Sequence, residues 1–135
     1  MTEVIGYHAH VYFNSATRAI AERLRDIIVS KFAVEPGGFS HEPRGPHPIS
    51  QFNVMFQKEE FQNLVPWLML NREGLDVLVH PLTNDMVDDH TIYALWLGTP
   101  VTLKIDTLQH RGYGADLLPT ASAHHSLHTE GKAQP

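Results

Sequence analysis

The stretch IGYHAHVYF, residues 5–13, decides the fold and gives the first indication of a functional site. Apolar or aromatic residues at positions 7, 9, 11 and 13 alternate with His8, His10 and Tyr12. Because successive side chains of a strand point to opposite faces, this period predicts a strand with one apolar face and one histidine-bearing face. The rest of the chain therefore has to cover the apolar face.

Two segments with helical spacing can supply that cover. The first places apolar residues at 20, 24, 27 and 28, can be capped by Asn14 or Ser15, and should end near residue 31 or 32. The second begins near Glu59, places apolar residues at 61, 64, 65 and 68, and should stop near Gly74. Pro66 should kink or restart this second helix, because proline lacks a backbone donor.

The remaining elements are predicted from alternation and from turn residues. They are strands at residues 51–57 and 75–80, the latter ended by Pro81, a turn at residues 36–38, a short strand at 39–44, an acidic loop at 84–90 and a further strand at 91–97.

The order β-α-β-β-α-β with an extra strand predicts an α+β fold. It is the ferredoxin-like, split-βαβ arrangement, with one antiparallel sheet and two helices on one face. Residues 1–112 would form this domain. Residues 113–135 would be a C-terminal extension or tail, because periodicity fades after Gly112.

Composition excludes several classes of protein. The 135 residues suit one domain, and the absence of cysteine excludes disulfides, thiolate metal sites and a cysteine nucleophile. Lys and Arg number 10 against 15 Asp and Glu, a net charge of −5, so no nucleic-acid partner is expected. No apolar run approaches the roughly 20 residues of a membrane span, and the N-terminus lacks a secretion signal. We expect a soluble, cytoplasmic domain with no membrane partner.

Histidine is the exceptional residue: there are 10, as many as Lys and Arg together. His8 and His10 share one strand face about 7 Å apart, where two imidazoles can converge on one metal ion. His80 ends the fourth strand, which lies antiparallel beside the first in the predicted fold, so His80 should meet His8. The three together are the predicted metal ligands.

Three more histidines are expected at the same end of the sheet. His47 precedes the third strand, which we expect to run parallel to the first and so to begin beside His8. His41 lies on the strand before that loop, and His90 follows two aspartates after His80. Each histidine alone is equally well explained as a polar residue on a solvated face or loop. The prediction of a site rests on the placement of all of them at one end of the sheet. The others are His110, which has no informative context, and His124, His125 and His128, a weak metal-binding tract in the tail.

Six blocks of the sequence are informative together: YHAHVYF (7–13), GPHP (45–48), VPWLMLNR (65–72), VHP (79–81), DH (89–90) and ALWLG (94–98). In this order they resemble the DOPA 4,5-dioxygenase family of fungi and bacteria, over about residues 6–106. The resemblance implies a ferredoxin-like fold, often dimeric, and extradiol cleavage of a catechol ring such as that of L-DOPA. It also implies Fe(II), for which zinc or another divalent metal can substitute, with a catechol and O₂ as partners.

On this resemblance the six histidines take two roles. Metal ligands are His8, His10 and His80; catalytic groups that take a catechol proton or guide oxygen are His47, His90 and His41.

The chain also departs from the family's pattern. Thr83-Asn84-Asp85 stands where the family has Thr-Gly-Asp, a mild change because Asn tolerates left-handed backbone angles. The usual non-haem iron triad contains a carboxylate. Its candidates here are Glu42, Asp76 and Asp88, and none is compelling.

Two other classes of function stay open at this point. The missing carboxylate would suit a metal- or small-molecule-binding homodimer without ring-cleaving activity. A structural domain, whose histidines are ordinary polar sheet residues, is the second alternative. In either case, an open, half-polar sheet face could form a homodimer interface.

Overall fold

The computed structural model describes residues 2–120, and these form one five-stranded antiparallel sheet with the two long helices on one face. The strands are β1 (Gly6–Tyr12), β2 (Val34–Ser40), β3 (Gln51–Phe56), β4 (Val77–Leu82) and β5 (Leu95–Leu97). The helices are α1 (Arg18–Lys31), α2 (Phe61–Asn71) and the short α3 (Met86–His90), with 3₁₀ turns at Lys58–Glu60, Ile105–Thr107 and Ala115–Leu117. The order across the sheet is β2-β3-β1-β4-β5. The predicted α+β, ferredoxin-like class is confirmed.

The apolar face of the sheet carries the core. Ala9 and Val11 of β1 are almost fully buried, and they belong to one cluster with Leu24 of α1 and Leu68 of α2. Burial of each such leucine contributes roughly 1.5–3 kcal/mol. The alternation predicted from the sequence therefore directs both helices to this face and leaves His8 on the other.

The direction of β3 corrects one step of the sequence analysis. β3 runs antiparallel to β1, with Tyr7 opposite Phe56 and Tyr12 opposite Gln51. The prediction of a parallel third strand was wrong, because the β2–β3 hairpin reverses the chain after the α1 crossover. The loop before β3 therefore enters beside the end of β1.

Two predictions of where a strand is interrupted were also wrong. The expected turn at Pro36 to Gly38 lies within β2, where the register shifts between Pro36 and Phe39, so these residues form a bulge. β4 continues through Pro81, which pairs with Tyr7. The Leu82 carbonyl accepts from the Ile5 amide just before β1, so the nitrogen of Pro81 faces the opposite side, beyond the end of the β5 pairing. Proline is tolerated at such a sheet edge.

The helix boundaries differ modestly from expectation. Asn14 caps the turn before α1, since its Oδ1 accepts from the amides of Ala16 and Thr17, and the helix itself begins at Arg18. Pro66 lies inside α2 without restarting it; its side chain is exposed. The acidic loop contains α3, which Asp85 caps by accepting from the Asp88 amide. The last strand is confined to three residues.

The second face of the sheet is covered by the chain itself, so the expected open face was wrong. His8 and His10 are each 5% exposed and His80 is 0% exposed. The cover is tied down by hydrogen bonds from Lys104 N to Pro46 O and from Met86 N to Arg111 O, of 2.8 and 2.9 Å.

Residues 113–118 contribute to this cover, and residues 121–135, with the predicted tail histidines, lie outside the described residues. The division of the chain at residue 112 stays a prediction. No helix within residues 2–120 is long and apolar enough to cross a membrane.

Candidate metal centre

The centre of the covered face holds three histidines from two adjacent strands. β1 supplies His8 and His10, and β4 supplies His80, which is directly opposite His8 in the register. The ring centroids of His8 and His10 each lie 5.1 Å from that of His80. The predicted meeting of His8 and His80 is therefore confirmed.

The Nε2 nitrogens of His10 and His80 face each other across the centre of the cluster. His10 Nδ1–H donates to Gln51 Oε1 at 2.9 Å, and His80 Nδ1–H donates to the Pro81 carbonyl at 2.9 Å. Each neutral imidazole then carries a lone pair on Nε2, and the two Nε2 atoms are 3.1 Å apart. In this pair of tautomers two lone pairs face each other, and a cation bound between them would relieve their repulsion.

This spacing fits a metal ion. Metal–nitrogen bonds of about 2.0–2.1 Å place two nitrogens of one coordination sphere roughly 3.0–3.4 Å apart. Gln51 and the Pro81 carbonyl fix the ring tautomers, as outer partners of metal-binding histidines do. His8 donates from Nε2 to the Leu117 carbonyl at 2.7 Å, which leaves its Nδ1 free to ligate. The donor set therefore suits a divalent metal.

Two further histidines enter the same cluster, His47 from the loop before β3 and His90 from the end of α3. The His47 ring centroid lies 4.1 Å from that of His10, and the His90 centroid lies 4.0 Å from that of His80. His90 Nδ1–H donates to the Met86 carbonyl at 2.7 Å, and His47 Nδ1 shares a 2.7 Å hydrogen bond with the Tyr12 hydroxyl. The five histidines form two sets, and within each set one nitrogen per residue lies within 4.8 Å of the others. The sets are His8, His10 and His80, and His10, His47 and His90.

Burial keeps the cluster neutral. It lowers the pKa of His8 to about 4 and of His47 to about 3, with repulsion from neighbouring histidines adding to the effect. The pKa values of His10 and His80 fall well below the usual range for the same two reasons, and burial also lowers the pKa of His90. Neutral imidazoles are the form that binds a metal.

His41 and His110 are not brought to this cluster. The His41 side chain is exposed and its ring lies beside Phe13 and Phe39, whose ring centroids are 6.1 and 5.3 Å away. His110 pairs with Asp85 at 2.6 Å on the surface. The antiparallel course of β3 explains why His47 still arrives: its loop enters at the Tyr12 end of β1.

None of the three proposed carboxylates joins the histidine sets within the described residues. Glu42 is exposed, Asp76 accepts from the Thr99 amide, and Asp88 is half-buried. Asp89, by contrast, is fully buried, and it accepts from the Thr83 amide and hydroxyl and from the Tyr113 hydroxyl. Both of its oxygens are thus occupied by protein donors.

Sequence reasoning missed Asp89, Tyr113, Gln51 and the role of Tyr12. Gln51 and Tyr12 share the histidine face by alternation, so their phase could have indicated them. Tyr113 lies in a segment without periodicity, and no sequence signal places its ring 6.0 Å from that of His8.

A cavity of about 270 Å³ opens beside the histidines. Its wall includes His8, His10, Arg44, His47, His90 and Tyr113. A larger groove of about 490 Å³ lies elsewhere, beside Tyr7, Phe61 and Val79, and contains no histidine among its lining residues. The histidine cavity therefore places metal-binding side chains beside a space that can hold a small molecule.

These features define a ferredoxin-like α+β domain whose buried histidine cluster could hold a metal ion beside a small-molecule cavity. The family comparison agrees with that class. The chain belongs to the Dopa 4,5-dioxygenase family, which matches it over residues 7–107.

Individual relatives point the same way. The chain is 32% identical to the DOPA 4,5-dioxygenase of Amanita muscaria over 116 residues, 79% of this chain and 51% of that protein. It is 40% identical to an uncharacterized 21.2 kDa protein of Botryotinia fuckeliana over 79 residues, 53% of this chain and 43% of that one. The chain spans about half the length, or less, of these curated relatives.

A solved structure shares the fold. A crystal structure from Nostoc punctiforme, described as a candidate dioxygenase, is 49% identical with a TM-score of 0.76. The similarity covers 77% of this chain and 90% of that one.

Proposed function

We propose that this chain is a metal-dependent extradiol dioxygenase that opens the ring of a DOPA-like catechol with O₂. The observation that carries the proposal is the opposed pair of Nε2 nitrogens on His10 and His80, 3.1 Å apart in a buried site. Family membership supports the reaction class, and the candidate-dioxygenase structure supports it further.

His8, His10 and His80 would hold the metal, with Fe(II) expected and zinc or another divalent metal able to substitute. Bound Fe(II) supplies open coordination positions for a catecholate and O₂. The fixed tautomers of His10 and His80 keep their Nε2 atoms ready to ligate.

His90 and His47 would act on the substrate. His90 donates its Nδ1 proton to the Met86 carbonyl, so its Nε2 lone pair is available to accept a proton from a catechol hydroxyl. His47 is held by the Tyr12 hydroxyl in the same cluster. His41, with its exposed side chain beside Phe39, receives no support from the structure for the catalytic role implied by the resemblance.

The remaining parts of the proposal concern the state of the protein. We propose a homodimer and a cytoplasmic location, as the resemblance and composition imply. The covered histidine face no longer supplies a reason for the dimer, so the interface would lie elsewhere. Sedimentation of the purified full chain tests the dimer directly.

The decisive experiment is anaerobic reconstitution of the full chain with Fe(II), removal of loosely bound metal with a chelating resin, and addition of L-DOPA and air. Growth of a visible absorbing product is expected at about one metal per chain. His80→Ala and His80→Gln should lose both metal and product. The matched control is His110→Ala, which removes a surface histidine and should keep both.

The outcomes separate the alternatives. Full metal content and activity in both His80 variants would contradict the ligand assignment. Metal retained in His80→Gln but lost in His47→Gln would move the site to the set that contains His10, His47 and His90. Bound metal without product from any catechol would favour a binding domain that cleaves no ring, and no metal binding would favour a structural role for the histidines.

A further inference from the structure

The histidine cavity contains a cation and no acid. Arg44 is the one permanently charged residue in its lining among the described residues, and no Asp or Glu joins it. This is notable in a chain of net charge −5. The cavity therefore differs in sign from the protein as a whole.

Arg44 is held at the mouth by a tight turn. The backbones of Arg44 and His47 exchange two hydrogen bonds of 3.0 Å each, and Gly45 between them has a φ of 54°. A positive φ at this position favours glycine. Arg44 is exposed, and within residues 2–120 its guanidinium has no ion-pair or hydrogen-bond partner. The turn thus ties a free cation to the histidine that lies beside His10.

Two of the neutral acceptors in the wall already accept hydrogen bonds from histidines. The Leu117 carbonyl accepts from His8 and Gln51 Oε1 accepts from His10. A substrate ammonium would therefore lack a charged acceptor in the described lining, whereas a carboxylate would find Arg44.

We propose that Arg44 is a specificity-determining residue that selects catechols bearing a carboxylate on a short side chain. The inference rests on the proposed function, because it places the ring hydroxyls at the buried histidines and the side chain at the mouth. A volume of about 270 Å³ suits a single ring with a short substituent, since larger ligands occupy pockets of about 300–1,000 Å³. An acid without an amine should be preferred to DOPA, and dopamine should be the poorest.

The test uses four catechols that differ in side-chain charge: 3,4-dihydroxyphenylpropanoate, L-DOPA, 4-methylcatechol and dopamine. Their binding to the Fe(II)-reconstituted full chain is measured anaerobically by calorimetry, and ring cleavage is measured after air is admitted. Arg44→Gln should weaken binding of the propanoate roughly fivefold, as for an exposed ion pair, and leave 4-methylcatechol unchanged. Arg44→Lys should recover part of the loss.

Arg111→Gln is the matched control, because Arg111 is also exposed and near the site but does not line the cavity. Arg111→Gln should leave the affinities for the propanoate and for 4-methylcatechol unchanged. Equal affinities of wild type for all four catechols, or equal losses for the propanoate and 4-methylcatechol in Arg44→Gln, would overturn the inference. Charge-selective binding without ring cleavage would support the role of Arg44 and contradict the proposed reaction. Ring cleavage without charge preference would support the reaction and contradict the role of Arg44.

Discussion

Replacing Asp89 with asparagine tests whether one buried carboxylate fixes the cover of the histidine site. Asp89 is 0% exposed, and its Oδ2 accepts from both the Thr83 amide and the Tyr113 hydroxyl at 2.8 Å. It thereby joins the end of β4, the helix α3 that carries His90, and the wall segment around Tyr113.

The expected cost follows from the charge. Asparagine keeps one acceptor oxygen, so the bonds from the Thr83 amide and Tyr113 persist as neutral ones. The Thr83 hydroxyl can rotate to accept from the new amide group. Hydrogen bonds to charged groups contribute about 1.5–3 kcal/mol and neutral ones about 0.5–1.5, so the loss over two bonds is about 2–3 kcal/mol. At roughly 4 °C per kcal/mol for a domain of this size, Tm should fall by about 10 °C.

Thermal and urea unfolding of the metal-free protein, followed by circular dichroism, measures this loss. Asp88→Asn is the matched control: the neighbouring carboxylate is half-buried and accepts no hydrogen bond among the described residues, so its effect should stay within about 0.5 kcal/mol. Tyr113→Phe should cost about 1.5 kcal/mol and should be non-additive with Asp89→Asn. An Asp89→Asn protein as stable as Asp88→Asn, or strictly additive effects, would refute the reasoning.

Two further predictions concern the surface and the sheet. Asp85 raises the pKa of His110, and its own pKa is lowered mainly by the Asp88 amide and then by His110. A raised histidine pKa adds stability that is lost as pH rises through it, and a lowered carboxyl pKa adds stability that is lost at acid pH. His110→Ala should therefore lower the urea midpoint at pH 5.5 more than at pH 8.5. An equal effect at both pH values would contradict a stabilising ion pair between His110 and Asp85. Gly37→Ala would push its new methyl into Asn53 Oδ1 and should cost about 1–3 kcal/mol in urea unfolding, whereas Gly38→Ala meets no atom within 4 Å and serves as the control.

The sequence by itself determined the layers and the central pair of ligands. The period of two in residues 5–13 places Ala9 and Val11 toward the helices and His8 and His10 away from them. The order of elements makes β4 the neighbour of β1, and this brings His80 opposite His8. Both results follow from local periodicity and from the order of the elements, which can be seen in a single sequence.

Only the tertiary structure decided what covers the histidines. Residues 104–118 have no hydrophobic period, and their position is set by single contacts such as Leu117 to His8 and Tyr113 to Asp89. The exposure of His41 and the arrival of His47 depend on the reversal of β3, which a local pattern does not encode. Long-range hydrogen bonds between irregular segments leave no repeat in the sequence, so the cavity and its buried carboxylate become visible only when the chain is folded.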